Sequence, residues 1–138
     1  MATSQFSMAV HILAMLADRC DERINSSYLA ESVNTNAVVI RRILCSLHEA
    51  GLVVSQTGYS GGTCLTKQPE EIHLDEVFVA VSRDEVFALH PNSPNKECPV
   101  GAGITEVLGE IKEEINKTVT EAFASYTLRD VIEQIEKA

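Results

Sequence analysis

Apolar residues recur with a helical period through the first fifty positions of the chain. Within residues 6–17 they are three or four positions apart, which predicts an amphipathic helix with one buried face. A second helix is expected to begin after Ser26 as its N-cap and to close at the polar turn 34–36. Asn36 is suited to cap a third helix, which Gly51 ends. These helices have the outline of a helix-turn-helix motif.

The period becomes strand-like directly after the third helix. Residues 52–57 and 63–67 are two short runs of high β propensity on either side of a glycine-rich tip, which predicts a β-hairpin. Residues 74–81 return to helical spacing after Pro69. The proline-containing stretch 89–99 is expected to form a loop.

The strongest helical pattern covers residues 103–124, and a short helix capped by Thr127 follows it. Apolar positions in the long helix are three or four residues apart, close to a heptad seam. At 1.5 Å per residue the seam is roughly 28 Å long, more than so small a domain covers alone. This length favours a homodimer interface over an internal bundle helix. The expected interface residues are Ile104, Leu108, Ile111, Ile115 and Val119.

These elements predict a fold that is mainly α with a small β-hairpin. The expected architecture is a winged helix-turn-helix plus a long C-terminal dimerisation helix. We expect a DNA-binding domain over residues 1–82, a linker or sensor loop over 83–102, and the dimerisation and last helices over 103–138. Two recognition helices in such a dimer reach half-sites roughly 34 Å apart, which predicts a pseudo-palindromic operator in double-stranded DNA.

Charge is distributed unevenly between the two halves of the chain. The net charge is −9, yet residues 1–69 hold five acidic and five basic side chains. Residues 70–138 hold fifteen acidic and six basic side chains and therefore carry the whole excess. The neutral half contains the predicted helix-turn-helix and hairpin, so the two halves are expected to do different jobs.

Membrane, secretion and disulfide chemistry are not indicated. The longest apolar run, residues 6–16, is too short to span a bilayer, and no basic residue precedes it as in a signal peptide. The four cysteines form no C-x-x-C pair, which argues against a zinc ribbon or a disulfide framework. We expect a cytoplasmic protein with free thiols and no membrane partner.

The stretch GYSGG at residues 58–62 satisfies the G-x-S-x-G pattern of a hydrolase nucleophile. That motif requires a helix directly after the serine, whereas a threonine-rich run ended by Pro69 follows here. No G-K-[ST] follows the glycines either, so a phosphate-binding P-loop is not indicated. We expect Ser60 at the tip of a hairpin whose glycines permit positive φ, and we expect no enzymatic or catalytic role.

Five stretches resemble the Rrf-two (BadM/IscR-type) family of winged-helix transcription regulators. In order, they are MAVHILAMLA, SSYLAESVNTNAVVIRRIL, HEAGLVVS, GYSGG and PEEIHLDEVFVAV. The resemblance is continuous over residues 6–82 and looser from residue 103 onward. It implies a homodimeric DNA-binding repressor or sensor whose long C-terminal helix builds most of the dimer. The segment LHPNSPNKECPVG is similar to the YwnA-like branch, which lacks an iron–sulfur cluster.

The resemblance also implies DNA contacts from the recognition helix, the start of the preceding helix, and the wing. The matching residues are Ser26, Ser27, Tyr28, Asn36, Val38, Val39, Arg41, Arg42, Gln56, Thr57, Gly58, Tyr59 and Ser60. Val39 borders the buried stripe and is also a candidate for the core. Thr57 and Thr63 stand where the family wing commonly has arginine and tyrosine. The groove contact of that arginine is therefore in doubt, with Tyr59 or Gln56 as substitutes.

Cys98 is a candidate sensor residue. Many family members look to hold an iron–sulfur cluster on three cysteines before the long helix, whereas this stretch has only Cys98, so we expect no cluster, metal or other cofactor. Pro99 is a favoured first residue of a helix, which would place the Cys98 sulfur near backbone N–H groups that stabilise a thiolate. The alternative is a small apolar or capping residue. A nucleophile or zinc site of His90 and Cys98 lacks the further groups that either needs.

Two functions from different classes fit these observations. The first is a homodimeric, sequence-specific DNA-binding regulator that senses oxidants or electrophiles through Cys98. The alternative is a winged-helix protein-interaction module with little DNA affinity, which the net charge of −9 and the missing wing arginine favour. A steep loss of DNA affinity with salt distinguishes the regulator from the module.

Overall fold

A computed structural model describes residues 4–19, 22–58, 61–82 and 86–138. Helices predominate in this part of the chain, and its strands form one antiparallel pair. The elements, in order, are α1 (Gln5–Asp18), α2 (Ser26–Val33), α3 (Ala37–Glu49), β1 (Val53–Gln56), β2 (Gly62–Leu65), a 3₁₀ turn (Pro69–Glu71), α4 (Leu74–Ser82), α5 (Pro99–Ala124) and α6 (Leu128–Lys137). The predicted fold class, a mainly helical winged helix-turn-helix, is confirmed.

Local side-chain chemistry fixes the ends of the helix-turn-helix. The Asn25 side chain, not that of Ser26, caps α2 by accepting a hydrogen bond from the Tyr28 amide at 2.9 Å. The prediction of Ser26 was wrong by one residue, because asparagine and serine are both good N-caps and stand side by side. Asn36 caps α3 as predicted and accepts from the Val39 amide at 3.0 Å. Asn34 closes α2 in the left-handed region, at φ 65°.

The wing, defined here as residues 53–65, is a hairpin with a third segment paired to it. Its strands are antiparallel, with Val53 opposite Leu65. Ile24, in the connection between α1 and α2, forms an isolated bridge to Thr63. The Ile24 amide donates to the Thr63 carbonyl at 3.0 Å, and the Thr63 amide donates back at 2.9 Å. Gly62 permits this approach, because a Cβ there would lie 2.9 Å from the Ile24 backbone. The pairing ties the wing to the start of α2.

The hydrophobic core lies inside the N-terminal bundle. The fully buried side chains are Ile12, Leu13, Leu16, Leu29, Ile40, Leu47, Leu52, Val53, Ile72, Val77 and Leu128. They come from helices α1 to α4, the connecting residues Leu52 and Ile72, the wing and the first residue of α6, so the C-terminal end of the chain folds back onto the bundle. Leu128 is held there by its amide, which donates to the Ile72 carbonyl at 2.8 Å. This core fixes the position of α3 relative to the wing.

Helix α5 differs from the other α-helices because none of its 26 residues is buried. It begins at Pro99 rather than at the predicted Gly103, since proline at the first helical position offsets the low helix propensity of Gly101 and Gly103. Its C-terminal end is held by an aromatic cluster, in which the Phe123 ring centroid lies 4.7 Å from that of Phe6 and 5.2 Å from that of Phe78. None of the helices in the described ranges is long and apolar enough to cross a membrane.

Candidate DNA-binding surface

A cleft of about 600 Å³ separates α3 from the wing, and we name it the wing cleft. Its lining residues come from three elements that are distant in sequence. They are Asn25 and Ser26 at the start of α2, Arg41, Leu44, Cys45 and His48 on α3, and Ser55, Gln56, Thr57, Gly58, Gly61, Gly62 and Thr63 in the wing. The Thr63 side chain is buried and forms a hydrogen bond of 2.9 Å with Ser55 across the strands, which makes the wing wall rigid.

The charge of the wing cleft suits a polyanion. None of the described residues that line it carries a carboxylate, whereas Arg41 contributes a permanent positive charge. A helix and a hairpin on either side of such a cleft can take a DNA strand between them, with the helix in the major groove and the wing along the backbone. The acidic side chains of α5 lie on a different element, away from this lining.

The predicted contacts on α3 differ in how accessible they are. Arg41 and Arg42 are both exposed, but only Arg41 lines the wing cleft. Val38 is 56% exposed and is available for an apolar contact with a base. Val39 is half-buried and packs against the core. The Asn36 side-chain oxygen accepts the capping hydrogen bond of α3, which leaves its amide NH2 group and one lone pair of the oxygen for DNA.

The start of α2 brings polar groups to the edge of the wing cleft. Ser26 lines it, and Ser27 is exposed next to it. The Tyr28 hydroxyl accepts a hydrogen bond of 2.8 Å from Arg19, whose guanidinium carbon lies 4.6 Å from the centroid of the Tyr28 ring. Serine hydroxyls and the first amides of a helix are common ligands of DNA phosphates.

The described part of the wing tip is polar and uncharged. Gln56, Thr57 and Gly58 are exposed and line the wing cleft. Gly58 has a φ of 105°, a conformation that favours glycine and turns the chain at the tip. The predicted contacts Tyr59 and Ser60 lie outside the described residues.

Sequence analysis missed two basic side chains near this surface. His48 lines the wing cleft from the C-terminal part of α3. Arg23 donates a hydrogen bond of 3.4 Å to the Gly62 carbonyl in the wing. The local pattern around Arg23 gives no signal of this contact, because it depends on pairing between positions 39 residues apart.

Cys98 lies exposed at the N-cap position of α5, directly before Pro99. Its side chain does not cap α5 through a hydrogen bond. The thiolate form is nevertheless favoured, most by the backbone N–H group of Gly101 and next by that of Val100. These amides hold the pKa of Cys98 below its usual value. Cys98 thus lies at the positive end of α5, a position that favours the thiolate form.

Among the described residues no donor set for an iron–sulfur cluster is grouped around Cys98, and Cys20 lies outside them. Cys45 lies on α3 and Cys64 on β2, whereas Cys98 is at the start of α5. In the described ranges, no three side chains of His, Cys, Asp or Glu are grouped in a way that could hold a metal ion. A cluster needs several thiolates or imidazoles converging on one point.

The predicted dimer seam runs along α5 as an open apolar stripe. Ile111 is 43% exposed and Ile115 is 39% exposed. Ile104, Leu108 and Val119 are half-buried. Large apolar side chains aligned in this way on one helix face are typical of an interface.

Comparisons with known proteins agree with this architecture. A family model described as Rrf2, an iron-dependent transcriptional regulator, matches residues 2–134. YwnA of Bacillus subtilis (strain 168), provisionally described as an HTH-type transcriptional regulator, is 39% identical over 136 residues, covering 98% of this chain and 99% of YwnA.

Two solved structures give the same result for the fold. A protein provisionally described as DNA-binding is 36% identical, with a TM-score of 0.72 over 94% of this chain and 99% of the other. IscR of T. potens is 20% identical, with a TM-score of 0.70 over 99% of this chain and 89% of the other. With a winged helix-turn-helix and a match over nearly its whole length, this chain belongs to the Rrf2 family of transcriptional regulators.

Proposed function

We propose that this protein is a homodimeric, sequence-specific DNA-binding repressor and not an enzyme. Helix α3 enters the major groove with Arg41 and Val38 towards the bases, while the wing follows the backbone of the same site. The observation that carries this proposal is the wing cleft, in which Arg41 faces a polar wing with no carboxylate in the described lining. The relatives described as HTH-type and DNA-binding support the same function.

Dimerisation through α5 completes the DNA-binding unit. A helix of 26 residues with no buried side chain exposes an apolar stripe that includes Ile111 and Ile115. A second copy packed on this stripe removes it from water and places two α3 helices on one face of the duplex. The acidic side chains of residues 70–138 repel phosphates and so keep the dimer helices away from DNA.

Cys98 gives this repressor a thiol-based signal input that needs no iron–sulfur cluster. Its thiolate attacks hydrogen peroxide, so that an S–O bond forms as the O–O bond breaks. The cysteine sulfur is oxidised to sulfenic acid, and the leaving hydroxide takes a proton to become water. Because α5 is continuous from Pro99 to Phe123, which packs on Phe6 and Phe78, a change at Cys98 shifts the helix relative to the bundle.

The decisive experiment selects an operator from random-sequence duplexes with the full-length protein and then measures affinity against salt. We expect a pseudo-palindrome to be enriched and the affinity to fall by a factor of about 1,000 or more between about 50 and 200 mM salt. Peroxide should release the wild type and leave the Cys98→Ser variant bound. If no sequence is enriched and affinity is independent of salt, the proposal is wrong and the protein-interaction module replaces it.

A further inference from the structure

The wing lacks charge of its own. Residues 53–65 contain no Lys, Arg, Asp or Glu. The nearest basic residue after the wing is Lys67, and its ammonium group is engaged with the Glu76 carboxylate at 2.7 Å. Positive charge beside the phosphates strengthens the binding of a wing to the DNA backbone, and here it can come only from another segment.

Arg23 is the basic residue that the fold brings to the wing. Its Nη1 donates to the Gly62 carbonyl at 3.4 Å, and the next residue, Ile24, forms the bridge to Thr63. Consecutive side chains of an extended segment point to opposite faces. Since Ile24 is buried, Arg23 and Asn25 lie on the outer face together, and Asn25 lines the wing cleft.

The Arg23 guanidinium is available to an external anion. Arg23 is exposed and makes no ion pair with any carboxylate of the described residues. Arg19, four positions earlier, differs in this respect, because it is paired with Glu22 at 3.8 Å and with the Tyr28 hydroxyl. A guanidinium has five N–H donors in a planar fork, and the Gly62 carbonyl occupies one of them.

We propose that Arg23 is the phosphate-binding residue of the wing. Its side chain, oriented by the Gly62 carbonyl, binds the phosphodiester oxygens of the DNA strand that borders the wing. This residue supplies the positive charge that the hairpin itself lacks and positions the wing on DNA without reading bases. The inference rests on the proposed DNA-binding function and adds a binding residue to it.

The test compares salt dependence for the wild type, Arg23→Ala and Arg23→Gln on the selected operator and on a scrambled duplex. Removing one phosphate contact lowers the slope of log affinity against log salt by about 0.9 per Arg23, hence by about 1.8 for a dimer. Both duplexes should lose affinity by the same factor, because a phosphate contact carries no sequence information. Arg23→Lys should retain most of the slope.

The controls separate charge from folding and from the wider proposal. Arg129→Ala is the matched variant, because Arg129 is ion-paired with Glu70 at 2.7 Å and neither lines the wing cleft, and it should keep the wild-type slope. Arg23→Gln keeps an N–H donor for Gly62 and removes only the charge, so it decides the matter if Arg23→Ala unfolds. An unchanged slope in Arg23→Gln overturns the role of Arg23. A wild type without salt-dependent binding overturns the proposed function instead.

Discussion

The N-terminal bundle and helix α5 differ in how completely they bury their apolar side chains. In the bundle, helices, hairpin and the first residue of α6 bury a shared set of side chains, so that Leu13, Leu47 and Leu128 are fully inaccessible. Helix α5 is longer than any helix of the bundle, yet none of its residues is buried. The first region covers its apolar side chains with its own contacts, whereas the second leaves an apolar stripe exposed.

The two regions also differ in net charge. The half with the helix-turn-helix and wing is neutral overall and has a cleft whose described lining lacks carboxylates. The half with α5 carries the whole net charge of −9. A neutral to basic face suits DNA better than an acidic one, so the charge favours the proposed assignment of DNA binding to the first region and dimerisation to the second.

The largest effect is expected from truncation in the bundle core. Leu47→Ala removes a fully buried side chain and leaves a cavity, which should lower the free energy of unfolding by about 2 to 5 kcal/mol at every protein concentration. Ile111→Ala on α5 is the matched variant, and its effect should appear only at concentrations where the chain is dimeric. Urea denaturation at several concentrations measures both. If Ile111→Ala lowered the free energy of unfolding as much as Leu47→Ala at every protein concentration, the two regions would not differ in this way.

Most of the fold could be predicted from the sequence because its elements are specified locally. The helical periods, the Asn36 cap and the glycine-rich hairpin each follow from adjacent residues, and all three were confirmed. The apolar pattern places the start of α5 at Gly103, where the seam begins, whereas the helix begins at Pro99, which the sequence indicates only as a favoured first residue beside Cys98. The return of Leu128 to the bundle core could not be predicted, because it depends on contacts between distant parts of the chain.

A dimer-breaking change on α5 should have the next largest effect. Ile111→Glu combined with Ile115→Glu places charges at neighbouring positions of the exposed stripe, one helical turn apart. Burying those charges in a dimer is unfavourable, so the dimer dissociation constant should rise by about 100-fold or more. Sedimentation equilibrium measures the change, and Ile111→Val with Ile115→Val serves as the apolar control. Equal dissociation constants for the two double variants would show that this stripe is not the interface.

Arg41→Ala should have a smaller effect that is confined to DNA recognition. Arg41 lines the wing cleft on the exposed side of α3, so its loss should reduce discrimination between operator and scrambled DNA by about 1 to 3 kcal/mol. Stability to urea should not change. Fluorescence anisotropy on both duplexes provides the measurement, with Arg129→Ala as the control. Equal weakening on both duplexes would make Arg41 a phosphate contact rather than a base reader.

The candidate DNA surface could be predicted only where it follows single elements. Arg41 and Gln56 lie on a helix and a strand whose exposed faces the pattern indicates, and both line the wing cleft. Asn25 and Arg23 join this surface through the pairing of Ile24 with Thr63, which no local pattern encodes. The roles of Arg41 and Gln56 as DNA contacts stay predictions.

The smallest effect concerns the reactivity of Cys98. Backbone N–H groups of Gly101 and Val100 hold the pKa of Cys98 down, so its thiolate is present above a folded-state pKa that is lower than usual. The iodoacetamide rate should therefore level off at a lower pH in the folded protein than in urea, where a thiol titrates near about 8.5. Cys98→Ser should lose the fast reaction of iodoacetamide with the Cys98 thiol, and Cys64→Ser should keep it. The same inflection with and without urea would contradict a lowered pKa.

If one region of the chain binds DNA while the other joins two copies, the complex with a selected operator duplex has a defined mass. Light scattering measures that mass and so tests DNA binding and dimerisation together. We expect two chains on each duplex for the wild type, and loss of that complex for Ile111→Glu with Ile115→Glu. One chain on each duplex, or a two-chain complex that survives the double substitution, would show that the two regions do not have these roles.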